Sequence, residues 1–183
     1  MKLGIISDTH GSLTAWNAVM ETIFTSVDMI IHAGDIFYYG PRNPVPGGYA
    51  PGDLAASMNS VQMPIIAVRG NCDSEVDQLV TNFPIQVPFA FCQIDPLRIL
   101  VNHGHELDDE QKIDIARKWS VDLFISGHTH RPKLVRDSGV VLLNPGSPSF
   151  PKEEPTVAVV TINKKGEADI KVFNVDTGEI VLE

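Results

Sequence analysis

Residues 2–35 read KLGIISDTHGSLTAWNAVMETIFTSVDMIIHAGD, and this stretch decides the fold. Lys2–Ile6 is a short apolar run, long enough for a buried strand and too short for a helix. Leu13, Trp16, Met20, Ile23, Phe24 and Val27 then recur at helical spacing, with Ser12 placed as an N-cap, which predicts a helix over Leu13–Val27. Met29–Ala33 is apolar on both faces, as in a sheet covered on both sides. Strand, helix and strand in this order imply a parallel pairing with a crossover.

Working outward, the loop from Ile36 to Gly52 is rich in Pro, Gly and aromatic residues and reads as ordered. A helix over Asp53–Ser60 and a strand over Pro64–Val68 extend the pattern. The second half is richer in strand. Phe89–Ile94 and Leu97–Asn102 flank Asp95-Pro96 as a hairpin. A helix over Asp109–Trp119 leads to a strand over Val121–Ser126. Strands over Val140–Leu143, Thr156–Ile162 and Ala168–Val175 follow, the last two joined by an Asn163–Gly166 turn. These elements fit an α/β fold, α+β-like in its second half, of two packed mixed sheets flanked by helices. The whole of 1–183 reads as one domain.

The 183 residues carry 14 Lys+Arg against 23 Asp+Glu, a net charge of −9. That balance speaks against long nucleic acid and against an anionic membrane surface. It leaves phosphate substrates open, because bound divalent ions reverse the sign locally. Two cysteines, Cys72 and Cys92, are too few for a disulfide framework and fit a reduced, cytoplasmic setting. The apolar run at the start stops at Ser7-Asp8, too short for a signal-peptide core. No stretch offers the ~20 apolar residues of a spanning helix.

The chemistry sits at the strand ends. The first strand ends in Ser7-Asp8-Thr9-His10, the second in Gly34-Asp35 and the third in Gly70-Asn71-Cys72-Asp73. The hairpin ends in His103-Gly104-His105 and the following strand in Gly127-His128-Thr129-His130. In α/β sheets the carboxyl edge is where ligands bind. Carboxylate and amide oxygen with imidazole nitrogen suit manganese, iron, zinc or nickel rather than calcium. The ligands suffice for two metals, and Asp35 is placed to bridge them at the ~3.5–4 Å spacing of two-metal phosphate chemistry.

Asp8-x-His10, Gly34-Asp35, Gly70-Asn71-x-Asp73, His103-Gly104-His105 and Gly127-His128-x-His130 stand in the order of the calcineurin-like metallophosphoesterase family, which the chain resembles. Asn144-Pro145-Gly146-Ser147 resembles that family's C-terminal loop. The small size, Cys72 and the loop from Gly40 to Pro51 look most like its YfcE-type bacterial phosphodiesterases. The resemblance implies a four-layer sandwich and a phosphoric diester hydrolase acting on a small diester by attack of a metal-bridging hydroxide. Asp8, His10 and His130 would hold one ion, Asn71, His103 and His128 the other, and Asp35 would bridge. Two divalent ions per chain are implied, manganese first, with nickel, zinc, iron or magnesium as alternatives. Asn71 would also offset charge on the phosphate. Cys72 stands where many members carry a catalytic His, which implies slower turnover and a preference for good leaving groups.

Arg42 reads equally as a fork onto phosphate or as a surface or subunit contact. His105 is open between support of a ligand, substrate contact and loop surface. Tyr38, Tyr39 and Tyr49 wall a pocket or anchor their loop, and that loop is open to a homo-oligomer contact. His32, inside an apolar strand, reads as a satisfied core group. Asp73 reads as orienting a ligand. The alternative function is a non-catalytic metal-binding scaffold or protein-interaction module of the Vps29 type on the same fold. His10, lost from that relative's pattern, is present here.

Overall fold

The computed structural model describes residues 1–94 and 96–183, so Asp95 of the expected hairpin turn lies outside the described residues. Two mixed sheets pack face to face. The larger takes β1 (Lys2–Ile6), β2 (Met29–His32), β3 (Ile65–Val68) and β4 (Ile85–Gln86) from the first half of the chain. It adds β10 (Thr156–Ile162), β11 (Ala168–Asn174) and β12 (Ile180–Leu182) from the end, in the order β12-β11-β10-β1-β2-β3-β4. The smaller contains β5 (Ala90–Ile94), β6 (Leu97–Val101), β7 (Leu123–Ile125), β8 (Pro132–Asp137) and β9 (Val140–Pro145), in the order β5-β6-β7-β9-β8.

β1 to β4 run parallel, with Ile5 opposite Ile31 and His32 opposite Ala67. The crossover helices α1 (Leu13–Thr22) and α2 (Pro51–Ser60) belong to this half of the chain. Trp16, Phe24, Leu54 and Met58 pack with Ile30 and Val157 as the layer between helices and sheet. α3 (Asp109–Lys118) covers the smaller sheet through Ala116, Val121, Phe124 and Leu142. Between the sheets lie Leu3, Ile5, Ile31, Ile99, Val101, Ile125 and Val160, all fully buried. Each such side chain contributes ~2 kcal/mol of transfer free energy. The result is helix, sheet, sheet, helix, the expected four layers.

α1 is shorter than its apolar spacing predicts. Ser12 caps it as expected, its Oγ accepting the Ala15 N–H, but it ends at Thr22. The chain then turns so that Phe24 lies under β1, where a Cβ on Gly4 would fall 2.8 Å from its ring. α2 starts earlier than expected because Pro51 presets its first turn. α3 ends one residue early, with Trp119 as its C-cap. Three strands escaped the sequence reading. β4 is two residues long, β12 is the last strand of the chain, and β8 begins with Pro132 and carries Lys133, Arg136 and Asp137. All three are outermost strands, where charge and proline are tolerated and the apolar signal fades. No helix among the described residues is long and apolar enough to cross a membrane.

Candidate metal centre

β1, β2 and β3 of the larger sheet and β6 and β7 of the smaller end at one edge of the sandwich. Just beyond those ends, Asp8, His10, Asp35, His128 and His130 all adopt left-handed backbone, with φ between 47° and 70°. Such conformations cost of order 1–3 kcal/mol each outside glycine and persist only where surrounding bonds hold them. Here the bonds are visible. Ser147 and Ser149 donate their hydroxyls to the Asp8 carbonyl at 2.8 Å each. Asn144 Nδ2 donates to the Gly127 carbonyl at 2.7 Å and so fixes the turn carrying His128 and His130. The Asp73 carboxylate accepts the N–H groups of Asp35, Ile36 and Gly70 at 2.6–2.8 Å, tying the second motif to the third. Gly70 is required by space: a Cβ there would lie 2.1 Å from Asp35 Oδ1.

Asp8 Oδ1 is the centre of the arrangement. It is buried and has no hydrogen-bond partner, while Oδ2 accepts the His128 N–H at 3.0 Å. His130 Nε2 lies 3.2 Å from Oδ1, His10 Nε2 3.7 Å and His103 Nε2 3.9 Å. The tautomers follow from the far side of each ring. Nδ1 of His10, His103 and His130 donates to the carbonyls of Tyr38, Ala33 and Phe150 at 2.7–2.8 Å, so all three Nε2 atoms point inward as acceptors. Asp35 Oδ2 stands 3.3 Å from His103 Nε2 and 3.8 Å from His10 Nε2, between the two halves. Asn71 Oδ1 joins at 3.1 Å from His103 Nε2. His128 is at the rim, its ring centroid 5.3 Å from that of His103.

Lone pairs therefore converge with little to neutralise them. Among the described residues, Asp8, His10 and His130 bring ligand atoms within 4.8 Å of one another, and so do Asp8, Asp35 and His103. A carboxylate oxygen left without a donor beside bare imidazole nitrogens is a poor arrangement for a protein alone and a good one for borderline divalent cations. Without them, protons must serve. Burial pushes His103 down, but the Asp35 hydrogen bond and the Asp8 and Asp35 charges outweigh it and raise the imidazole to about 9. Burial would raise Asp35, but His103 and the Cys72 N–H hold its carboxyl well below the usual carboxylate range. Burial keeps His10 and His128 below the ordinary histidine value.

The remaining expectations divide. Burial, then Asp35, pushes the Cys72 thiol up to about 12, so it is neutral. His32 is a satisfied core group: Gly34 N–H donates to its Nδ1 at 3.2 Å, its Nε2 meets Thr9 Oγ1 at 3.0 Å, and burial lowers it to about 3. Tyr39 packs edge-on against Tyr49 and anchors the loop, whereas Tyr38 is 43% exposed and faces the cavity. That cavity, of about 540 Å³, is walled by His10, Asp35, Asn71, Cys72, His128 and His130 and has Arg42 on its lining. His105 lies on the other side of Asn71, in a neighbouring cavity of about 400 Å³, 6.0 Å ring to ring from His128.

Lys152, Phe150 and the Ser149 hydroxyl on the Asp8 carbonyl escaped the sequence reading. Lys152 lines the main cavity and resembles any surface lysine in sequence. Phe150 lends its carbonyl to His130 and stacks its ring on that imidazole at 13°. Its position three residues after Ser147 in the Asn144–Ser147 loop was the available signal.

Comparison with known proteins follows the same lines. A family model described as the calcineurin-like phosphoesterase superfamily domain matches residues 1–165. The phosphodiesterase YfcE of Escherichia coli strain K12 is 40% identical over 153 residues, covering 83% of this chain and 82% of that protein. A solved structure of YfcE, a phosphoesterase from E. coli, superposes with a TM-score of 0.85 at 33% identity, over 100% of this chain and 97% of that one. Vacuolar protein sorting 29 from Cryptosporidium parvum superposes with a TM-score of 0.73 over 98% and 93%, at 16% identity, a likeness of fold alone.

Proposed function

The chain belongs to the calcineurin-like phosphoesterase superfamily, and from that premise we propose that it is a metal-dependent phosphodiesterase hydrolysing a small phosphate diester. The observation that carries the reading is the buried, unpartnered Asp8 Oδ1 ringed by three inward imidazole nitrogens. Asp8, His10 and His130 would hold one ion, Asn71, His103 and His128 a second, with Asp35 between them. Manganese is the first choice, with nickel, zinc, iron and magnesium as alternatives. When bound, such a pair supplies Lewis acidity and an activated water for in-line displacement at phosphorus.

The chain's own residues do the rest. The cage contributes only two carboxylates, so the loaded site is cationic within a chain of net charge −9. Asn71 Oδ1 stands beside His103 Nε2, both facing the place of the second ion, and its Nδ2 turns toward the Cys72 side of the cavity, where it can donate to a non-bridging phosphate oxygen. Arg42 and Lys152 line the same cavity and would hold the anion from outside. Cys72 reaches the cavity as a neutral thiol, a weak donor, so a departing alkoxide receives little help from it. This favours esters whose leaving groups need no protonation. His105, set across Asn71, is available to the second ester arm.

The YfcE name supports phosphodiester over monoester chemistry, at 40% identity. The scaffold alternative draws on relatives that share the fold alone. Metal-free protein reloaded with manganese, nickel, zinc or magnesium, then given an aryl phosphodiester and the matching monoester, tests the proposal. Turnover of the diester is expected, manganese first. Inactivity with every metal would transfer the case to the scaffold.

A further inference from the structure

Cys72 is more than a replacement beside the cage. Ligand atoms of His10, Asp35 and Cys72 lie within 4.8 Å of one another. Groups this close are candidates to share one ion, whose ordinary bonds run ~2.0–2.2 Å to nitrogen and oxygen and ~2.3 Å to sulfur. The same His10 Nε2 faces the unpartnered Asp8 Oδ1, on the side where His130 stands. The main chain holds the cysteine in place: its N–H donates to Asp35 Oδ1 at 2.8 Å, which leaves Oδ2 for an ion. Asn71 Nδ2 lies 3.3 Å from Sγ and can donate to a sulfur that carries negative charge. The groups assigned to the second ion, Asn71 Oδ1, His103 and His128, offer oxygen and nitrogen only.

The geometry points to Cys72 Sγ as a ligand, with His10 and Asp35, of the ion on the His10 side of the cage, so that the two metal positions differ in softness. The first takes a thiophilic cation such as zinc, cobalt or cadmium. The second keeps a harder one such as manganese or magnesium. This rests on the two-metal reading above. On coordination a sulfur–metal bond forms and the S–H bond breaks, with the proton released to solvent. A consequence is inhibition by the softest of these cations, cadmium, because the sulfur it holds most firmly closes the first ion against substrate.

Cobalt(II) titrated into chelated full-length protein separates the possibilities by spectroscopy, without turnover. The wild type should show visible d–d bands together with a sulfur-to-cobalt charge-transfer band in the near ultraviolet. Cys72→Ser should keep the d–d bands and the cobalt stoichiometry and lose only the ultraviolet band. Its affinity for cadmium should fall about tenfold or more, while that for manganese stays put. Visible bands without a sulfur band in the wild type would overturn the sulfur ligand and leave the two-metal reading intact. A sulfur band that survives in Cys72→Ser would assign it to Cys92 and equally overturn it. Failure to bind cobalt at all would remove both readings together.

Discussion

His10 and His130 present their Nε2 atoms to each other at 3.3 Å, beside Oδ1 of Asp8. With both Nδ1 hydrogens committed to main-chain carbonyls, two acceptors this close repel unless a cation or proton lies between them. His130→Ala should therefore reduce the bound metal from two ions per chain to one, and Asp35→Asn should weaken both. Each should lower diester hydrolysis by about 100-fold or more. Elemental analysis of the purified variants checks the first point, and a fully loaded His130→Ala protein would contradict it.

The metal-free protein should lose stability as the solution becomes alkaline. The folded value of His103, about 9, lies above the ordinary 6.5, so its stabilisation is complete below pH 6.5 and fades as the pH rises through 9. The span corresponds to about 3 kcal/mol at most. The carboxylates have the opposite sign. Asp35 is held low, so its contribution is present at neutral pH and is lost only as the pH falls through its folded value. Thermal midpoints of chelated protein between pH 6 and about 9.5 should decline, with His103→Gln flattening the curve. A level profile in the chelated wild type would count against a protonated His103.

Cys72→His should keep two ions and raise turnover, most for esters with poor leaving groups, because an imidazole donates where the thiol does so weakly. A gain of about tenfold or more is expected, with general-acid catalysis supplying the scale. The comparison needs variants of equal metal content. Turnover equal to or below the wild type in such a pair would remove this position from leaving-group chemistry.

Arg42→Ala and Lys152→Ala should each raise KM for a diester several-fold, with metal content and kcat little altered, since both side chains line the cavity without belonging to the cage. Steady-state kinetics resolves the two constants. Unchanged KM in the Arg42 variant would return that residue to the surface-contact reading.

Much of this was readable because function and fold share the same boundaries. Each apolar run was recognisable by itself, and β1 and β10 begin and end where the hydrophobic pattern does. The residue after each run was then either a turn former or a candidate ligand. What the residues could not announce were partners that use the main chain. The carbonyls of Tyr38, Ala33 and Phe150 fix three imidazoles, yet a carbonyl belongs to every residue and leaves no mark in composition. The Asp8 carbonyl, held by Ser147 and Ser149 from about 140 positions away, is equally silent. β8 was lost for another reason: an outermost strand has one neighbour and needs no apolar run.

Asp8, His10, Asp35 and Asn71 follow strands of the seven-stranded sheet, while His103, His128 and His130 follow strands of the five-stranded one. The proposed donor set is thus split across the seam of the sandwich, and neither slab carries all of it. Cation capture by that set would be a clasp between them, so any slippage of one slab against the other would be penalised by lost coordination. A proteolytic nick or truncation that frees either slab should abolish both halves of the centre in one event, leaving no partially competent remnant.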